Sequence, residues 1–161
     1  MAFVDRVSDW CGRLAGWLFF VVAAMVTYEV VARYVFHAPT IWAEEMSLFC
    51  QIWATYLGAS YVLRHRDLIK IDILGNYFGA RFNFFSDLLS LLVIAVFSAV
   101  TVFYSLGIMI DSVKLSRASA TMLSLPLWLT ESAIPIGFTL LLLQCISEFL
   151  KILSTRKESS L

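Results

Sequence analysis

Two stretches of this chain, Met46 to Leu63 and Leu88 to Ile110, contain no charged residue. Two more, Leu14 to Ala32 and Leu127 to Ser147, carry a single carboxylate each, Glu29 and Glu131. A helix crossing the hydrocarbon core of a bilayer needs about 20 mostly apolar residues. Inside that core there is no water for backbone groups, so such runs must satisfy their own hydrogen bonds as helices. The spacing therefore predicts an all-α integral membrane protein with four transmembrane helices, at about 10–33, 42–63, 86–110 and 126–150, forming one membrane domain over residues 1–161. Composition agrees. The chain is 60% hydrophobic and 15% charged, with a mean hydropathy of +0.82, against about 45–50% and about 25% in soluble domains. The first run is too long for the apolar part of a signal peptide, and "VVAAMVTYE" is a weak cleavage pattern, so it is read as a retained helix.

Charge then orients the helices. The formal net charge is +0, which offers nothing to nucleic acid, but Lys and Arg are unevenly placed. Arg6, Arg13, Arg64, Arg66, Lys70, Arg81, Lys151, Arg156 and Lys157 fall on one side, and Arg33, Lys114 and Arg117 on the other. Basic residues collect in cytoplasmic connections, so both termini are expected in the cytoplasm and the turn after the first helix on the opposite side.

The three connections differ. Tyr34 to Ile41 is short enough to make the first two helices antiparallel neighbours. In the second connection, Leu74, Tyr77, Phe78, Phe82 and Phe85 recur at helical spacing with Asn76, Arg81 and Asn83 between them, predicting an amphipathic interfacial helix over about 72–85. The third, Asp111 to Leu125, is expected to begin as an extension of the third helix. Residues 154–161, "STRKESSL", read as a disordered tail.

Against this apolar background the polar residues stand out. Glu44 and Glu45 fall in the first turns of the second helix, where negative charge complements the helix dipole. Trp42 suits the lipid headgroup level, and Thr40 is a candidate N-cap. Glu29 precedes Arg33 by four residues, the favourable order for a helical ion pair. Two readings of this cluster stay open, a hairpin anchored at the lipid interface and a surface that docks a partner. Ser47, Gln51, Thr55 and Gly58 recur on the second helix as a candidate face for close helix packing. In the last helix Pro135 cannot donate to the carbonyl of Glu131, and Gly137 follows, so Glu131, Pro135 and Gly137 mark a candidate kink.

Little here suggests catalysis. Cys11, Cys50 and Cys145 are too far apart for a zinc motif or a disulfide framework. His37 and His65 lie in connections on opposite sides of the membrane, so they cannot share one haem. The chain lacks HExxH, GxSxG, a P-loop and a dinucleotide fingerprint. The expectation is a chain with no enzymatic role, no metal and no cofactor of its own.

Several of these residues, in order, carry a resemblance. Glu29, Arg33-Tyr34, Phe36, Pro39, Trp42 and Glu44-Glu45 come first, followed by Gly58-Ala59 and Ile69-Lys70-Ile71-Asp72. Ser124-Leu125-Pro126-Leu127-Trp128 and Pro135-Ile136-Gly137 complete the set. The pattern, from about Tyr28 to Gly137, resembles the small membrane subunit (the DctQ-type small permease) of tripartite ATP-independent periplasmic (TRAP) transporters. One departure is visible: Asp67-Leu68 stands where the family often has Gly-His. The resemblance implies a bacterial cytoplasmic (inner) membrane location, a large multi-helix permease subunit and a periplasmic substrate-binding protein as partners, and membrane lipid around them. It implies uptake of organic acids driven by a sodium or proton gradient used by the complex, with this subunit as scaffold and docking surface. On that reading Arg33, Trp42, Glu44 and Glu45, with Lys114 and Arg117 from the third connection, form the candidate docking face. Two other classes stand against it. A self-contained four-helix proton-coupled drug exporter would depend on Glu29, and a haem- or quinone-binding membrane anchor would need better-placed histidines.

Overall fold

The computed structural model describes residues 2–65, 80–119 and 124–158. It contains three long helices, α1 (Ala2–Tyr34), α2 (Ile41–Arg64) and α3 (Ala80–Lys114), then a short α4 (Leu127–Glu131) and a long α5 (Ala133–Glu158). The regular structure is helical among the described residues, apart from an isolated antiparallel bridge between Ala118 and Pro126.

Three segments are long and apolar enough to cross a membrane: Phe3–Tyr34, Leu88–Lys114 and Leu127–Lys151, the last running through α4 and α5. At 24 residues, α2 has the length, but Ser47, Gln51, Thr55 and Ser60 make it more polar than the other three. Several boundaries lie further out than the hydropathy suggested. α1 starts eight residues before residue 10, because Asp5 and Asp9 make contacts that hold its first turns against α2 and α5. Residues 80–85 are the opening turns of α3, not part of a separate interfacial helix, while residues 72–79 lie outside the described residues. α5 continues to Glu158, so residues 154–158 are helical and not a disordered tail.

The helices stand in a bent row, with α1 beside α2, α2 beside α5, and α5 beside α3, and α1 also touches α5 directly. Among the described residues α3 touches neither α1 nor α2. Burial follows the logic of lipid. The side chains hidden between helices are mostly small or polar, such as Ala15, Ala32, Ala43, Ala54 and Ala133, and Ser8, Ser47, Ser60, Ser98 and Ser147, with Leu57, Leu63 and Leu91 as the large exceptions. The large apolar ones, such as Trp17 and Phe20 on α1 or Val96, Val100 and Phe103 on α3, face outward. In hydrocarbon an exposed Phe costs nothing, whereas small residues let two backbones approach closely.

Glycine makes the two closest approaches. A Cβ on Gly12 would stand 2.3 Å from the Tyr61 ring, and one on Gly137 would stand 2.5 Å from Tyr56 Cβ and 2.8 Å from its carbonyl oxygen. These contacts set the α1–α2 and α2–α5 spacings. Phe138 of α5 then bridges Tyr56 of α2 (5.7 Å between rings) and Phe97 of α3 (5.8 Å). On α3 the buried residues Leu91, Ser98, Ser105 and Ser112 recur every seven positions. A seven-residue repeat keeps one seam facing its neighbour when helices wind with left-handed twist, and here that neighbour is α5.

The chain ends of the helices are closed by local chemistry. Ser116 takes a left-handed conformation (φ 46°) after α3, and its N–H donates to Val113 O at 3.2 Å while Arg117 N–H donates to Ser112 O at 3.1 Å. This pair of bonds satisfies the last carbonyls of the helix. Ser119 N–H to Leu125 O (2.8 Å) and Leu127 N–H to Arg117 O (3.0 Å) then hold the base of the third connection together. Between α4 and α5, Ser132 stays in the helical region (φ −64°, ψ −23°), and its N–H donates to Trp128 O at 2.9 Å. The interruption falls where Pro135 has no N–H to give to Glu131.

Candidate functional site

The turn from α1 to α2 is organised by one carboxylate. Glu29, on the last turns of α1, is 8% exposed. Its Oε1 accepts from Arg33 Nη2 at 2.9 Å and from Arg33 Nε at 3.2 Å. Its Oε2 accepts from the Thr40 backbone N–H at 3.0 Å and from the Thr40 hydroxyl. Thr40 is the N-cap residue of α2 but does not cap with its own side chain. Glu29 acts from the neighbouring helix instead, satisfying an N–H at the entrance of α2. The chain can reverse this tightly because His37 adopts φ 55° and Ala38 N–H donates to Ala32 O at 3.0 Å.

Around this clamp the expected residues divide. Trp42 lies 6.0 Å from the Tyr28 ring and is 45% exposed, an arrangement suited to the headgroup level. Glu44 is exposed and Glu45 half-buried. A cleft of about 240 Å³ opens between α1 and α2, with Val26, Val30, Arg33, Tyr34 and Glu44 among its lining residues. Lys114 and Arg117 are exposed at the same end of the row, on the last turn of α3 and just beyond it. Glu44, Lys114 and Arg117 form no ion pair among the described residues. The structure thus brings Glu29, Arg33, Thr40, Trp42 and Glu44 together, and leaves Lys114 and Arg117 on a helix that does not touch α1 or α2.

Of the four residues on the second helix, Ser47 is buried and Gly58 sits 3.4 Å from Ala15 by its notional Cβ. Gln51 and Thr55 are exposed. The buried positions of α2 are Ala43, Ser47, Ala54, Leu57, Ser60 and Leu63. The reason is geometric: steps of four advance 40° per step around a helix of 3.6 residues per turn, so a line through positions 47, 51 and 55 drifts off the seam. Glu131 is half-buried with Oε2 lacking a hydrogen bond, Pro135 lies in the first turn of α5, and Gly137 is taken up by its contact with Tyr56.

A second charged group, at the opposite end of the row, was not anticipated from sequence. Arg64 at the end of α2 donates to the Asp9 carboxylate and to the backbone carbonyl of Asp5. Lys151 of α5 donates to Asp5 Oδ1 at 2.9 Å and to Glu148 Oε1 at 2.6 Å. Gln144, fully buried, donates to Asp5 Oδ1 (3.2 Å) and Glu148 Oε1 (3.3 Å). Asp5 thereby ties α1 to both α2 and α5. The available signal was periodicity: Asp5 and Asp9 are one turn apart, and Gln144, Glu148 and Lys151 share one helix face at spacings of four and three. Arg64 and Lys151 had been weighed only as markers of orientation.

Comparison with known proteins follows the same residues. The chain is similar to the sialic acid TRAP transporter permease protein SiaT of Haemophilus influenzae, with 27% identity over 108 residues, 67% of this chain and 17% of that protein. It matches the isethionate TRAP transporter permease protein DctMQ of Oleidesulfovibrio alaskensis at 25% identity over 139 residues, 85% of this chain and 21% of that protein. The C4-dicarboxylate TRAP transporter small permease protein DctQ of Rhodobacter capsulatus is 31% identical over 101 residues, 63% of this chain and 44% of its own length. The matched region is thus less than half of each relative. The family model for the DctQ component of tripartite ATP-independent periplasmic transporters matches residues 6–155, and its span includes the α1–α2 turn and most of every long helix. This multi-pass membrane chain belongs to the DctQ-component family of TRAP transporters.

Proposed function

We propose that this chain is the small permease subunit of a TRAP transporter in a bacterial inner membrane, with α2 as the fourth span and both termini cytoplasmic. It enlarges the fixed scaffold around a large transport subunit and helps dock a periplasmic substrate-binding protein. The complex takes up organic acids, driven by a sodium or proton gradient. The observation that carries the scaffold reading is the bent row of helices, whose edges α1 and α3 present broad apolar faces to their surroundings. Such outward apolar faces offer surface, and a large helical partner is what that surface can hold. Two relatives support the partner: in them the matched segment makes up 17% and 21% of a longer permease. The docking reading rests on Glu44, Lys114 and Arg117, charges without an ion pair among the described residues, at the end of the row that the basic-residue distribution puts outside the cytoplasm.

The self-contained exporter finds no support. The family match is to a transporter component, and Glu29 is engaged by Arg33 and Thr40. Affinity purification of the chain from its native membranes in mild detergent tests the scaffold. A stoichiometric, much larger polytopic subunit is the expected companion; isolation as a homo-oligomer in several detergents would overturn the proposal.

A further inference from the structure

The cleft at the α1–α2 turn has charges that the Glu29 clamp does not consume. Arg33 commits Nε and Nη2 to Glu29 and keeps Nη1 without a partner among the described residues. Its side chain is 48% exposed. Glu44, lining the same cleft from α2, is exposed and makes no ion pair among the described residues. Val26 and Val30 line the cleft deeper along α1, one and two turns inside an apolar span that ends at Tyr34. Beyond the Glu29–Arg33 pair, which also lines the cleft, one uncommitted guanidinium nitrogen and one carboxylate therefore meet at its mouth, with Val26 and Val30 beneath them.

Size narrows the occupant. At about 240 Å³ the cleft is smaller than the roughly 300–1,000 Å³ sites that enclose a drug-sized molecule. It is open and not enclosed, so it takes one end of something larger. A small soluble zwitterion would gain nothing from Val26 and Val30, whereas a membrane lipid must place apolar chains there.

We propose that the cleft binds the headgroup of a phospholipid bearing a primary ammonium, of the ethanolamine class. The phosphate accepts from Arg33 Nη1 and the ammonium donates to the Glu44 carboxylate. The glycerol end and first acyl methylenes lie along Val26 and Val30. Charge complementarity favours it over the near alternatives: a choline headgroup has no N–H to give Glu44, and a glycerol headgroup offers Glu44 neutral hydroxyls and no cation.

Native mass spectrometry tests this on the full chain, together with any subunit that accompanies it, after delipidation. It is challenged with equimolar dioleoyl phosphatidylethanolamine, phosphatidylcholine and phosphatidylglycerol. The ethanolamine lipid should be retained about tenfold over the others, the scale of one charge-assisted hydrogen bond. Glu44→Gln should erase that preference, and Val30→Trp should reduce retention of all three. Thermal stabilisation of the unsubstituted chain by each lipid provides the same ranking with no variant. Equal retention of the three lipids, a preference for phosphatidylglycerol, or a preference that survives both substitutions overturns the proposal. The measurement contains no binding protein, so its outcome is independent of docking.

Discussion

The two ends of the helical row treat charge in opposite ways. Where the chain begins, Asp5, Asp9, Arg64, Glu148 and Lys151 engage one another across α1, α2 and α5. Where α1 turns into α2, a single pair, Glu29 and Arg33, is used to close the turn, while Glu44, Lys114 and Arg117 face outward without an ion pair among the described residues. The difference lies in position on the helices. Charges on a helix–helix seam can meet a neighbour within the chain, and those on an outer face meet only what comes from outside. One end holds the row together and the other is free to meet a partner, so substitutions should separate stability from function.

The largest effect should come from filling the closest seam beside the paired end. Gly12→Leu forces a side chain into the Tyr61 ring. It should cost about 3 kcal/mol or more, at the upper end for overpacking, and appear as a large loss of thermal stability in detergent and of accumulation in the membrane. Breaking the paired charges comes next. Lys151→Met leaves Asp5 and Glu148 facing each other without their shared cation. A loss of about 1–3 kcal/mol is expected, read as a lower melting temperature, and restoring it with Lys151→Arg would show that the charge matters more than the fit.

A smaller effect is expected at the clamp. Glu29→Gln keeps an acceptor for Thr40 but weakens the hold on Arg33, costing about 1 kcal/mol by thermal unfolding. The same substitution should leave any uptake by the assembled complex coupled, in contrast to an exporter built on that glutamate. Smallest in stability, within about 0.5 kcal/mol, is the double change Glu44→Gln with Glu45→Gln. Uptake in proteoliposomes should nevertheless slow, roughly tenfold at low salt, and the gap from the unsubstituted complex should shrink as ionic strength rises. Equal uptake at every binding-protein concentration would remove these carboxylates from docking.

The helical class, the apolar spans and the polar content of the first turn were legible because hydropathy and charge act locally along the chain. Glu29 and Arg33 could be paired from their spacing alone, since a helix fixes the geometry of positions four apart. The contact with Thr40, eleven residues on, required the left-handed conformation of His37, which histidine's modest enrichment there announces only weakly. Asp5 and Lys151 are 146 positions apart, and only the order of helices in the row makes them neighbours. The same ignorance of neighbours hid the role of Gly137: its place after Pro135 suggested a kink, whereas the seam with Tyr56 needs its missing side chain.

The row also constrains how the chain can be made. α1 and α2 are consecutive and adjacent, so they can pair as soon as both have emerged. α3 follows them in sequence but finds no neighbour among them. Its seam of Ser98, Ser105 and Ser112 must wait in lipid until α5 inserts between α2 and α3. The last of the described helices is therefore the keystone, and without it an α1–α2 hairpin stands beside a stranded α3. Such a fragment leaves the small-residue seam of α3 without the helix it packs against, which makes arrival of α5 the step that commits the bundle to its final arrangement.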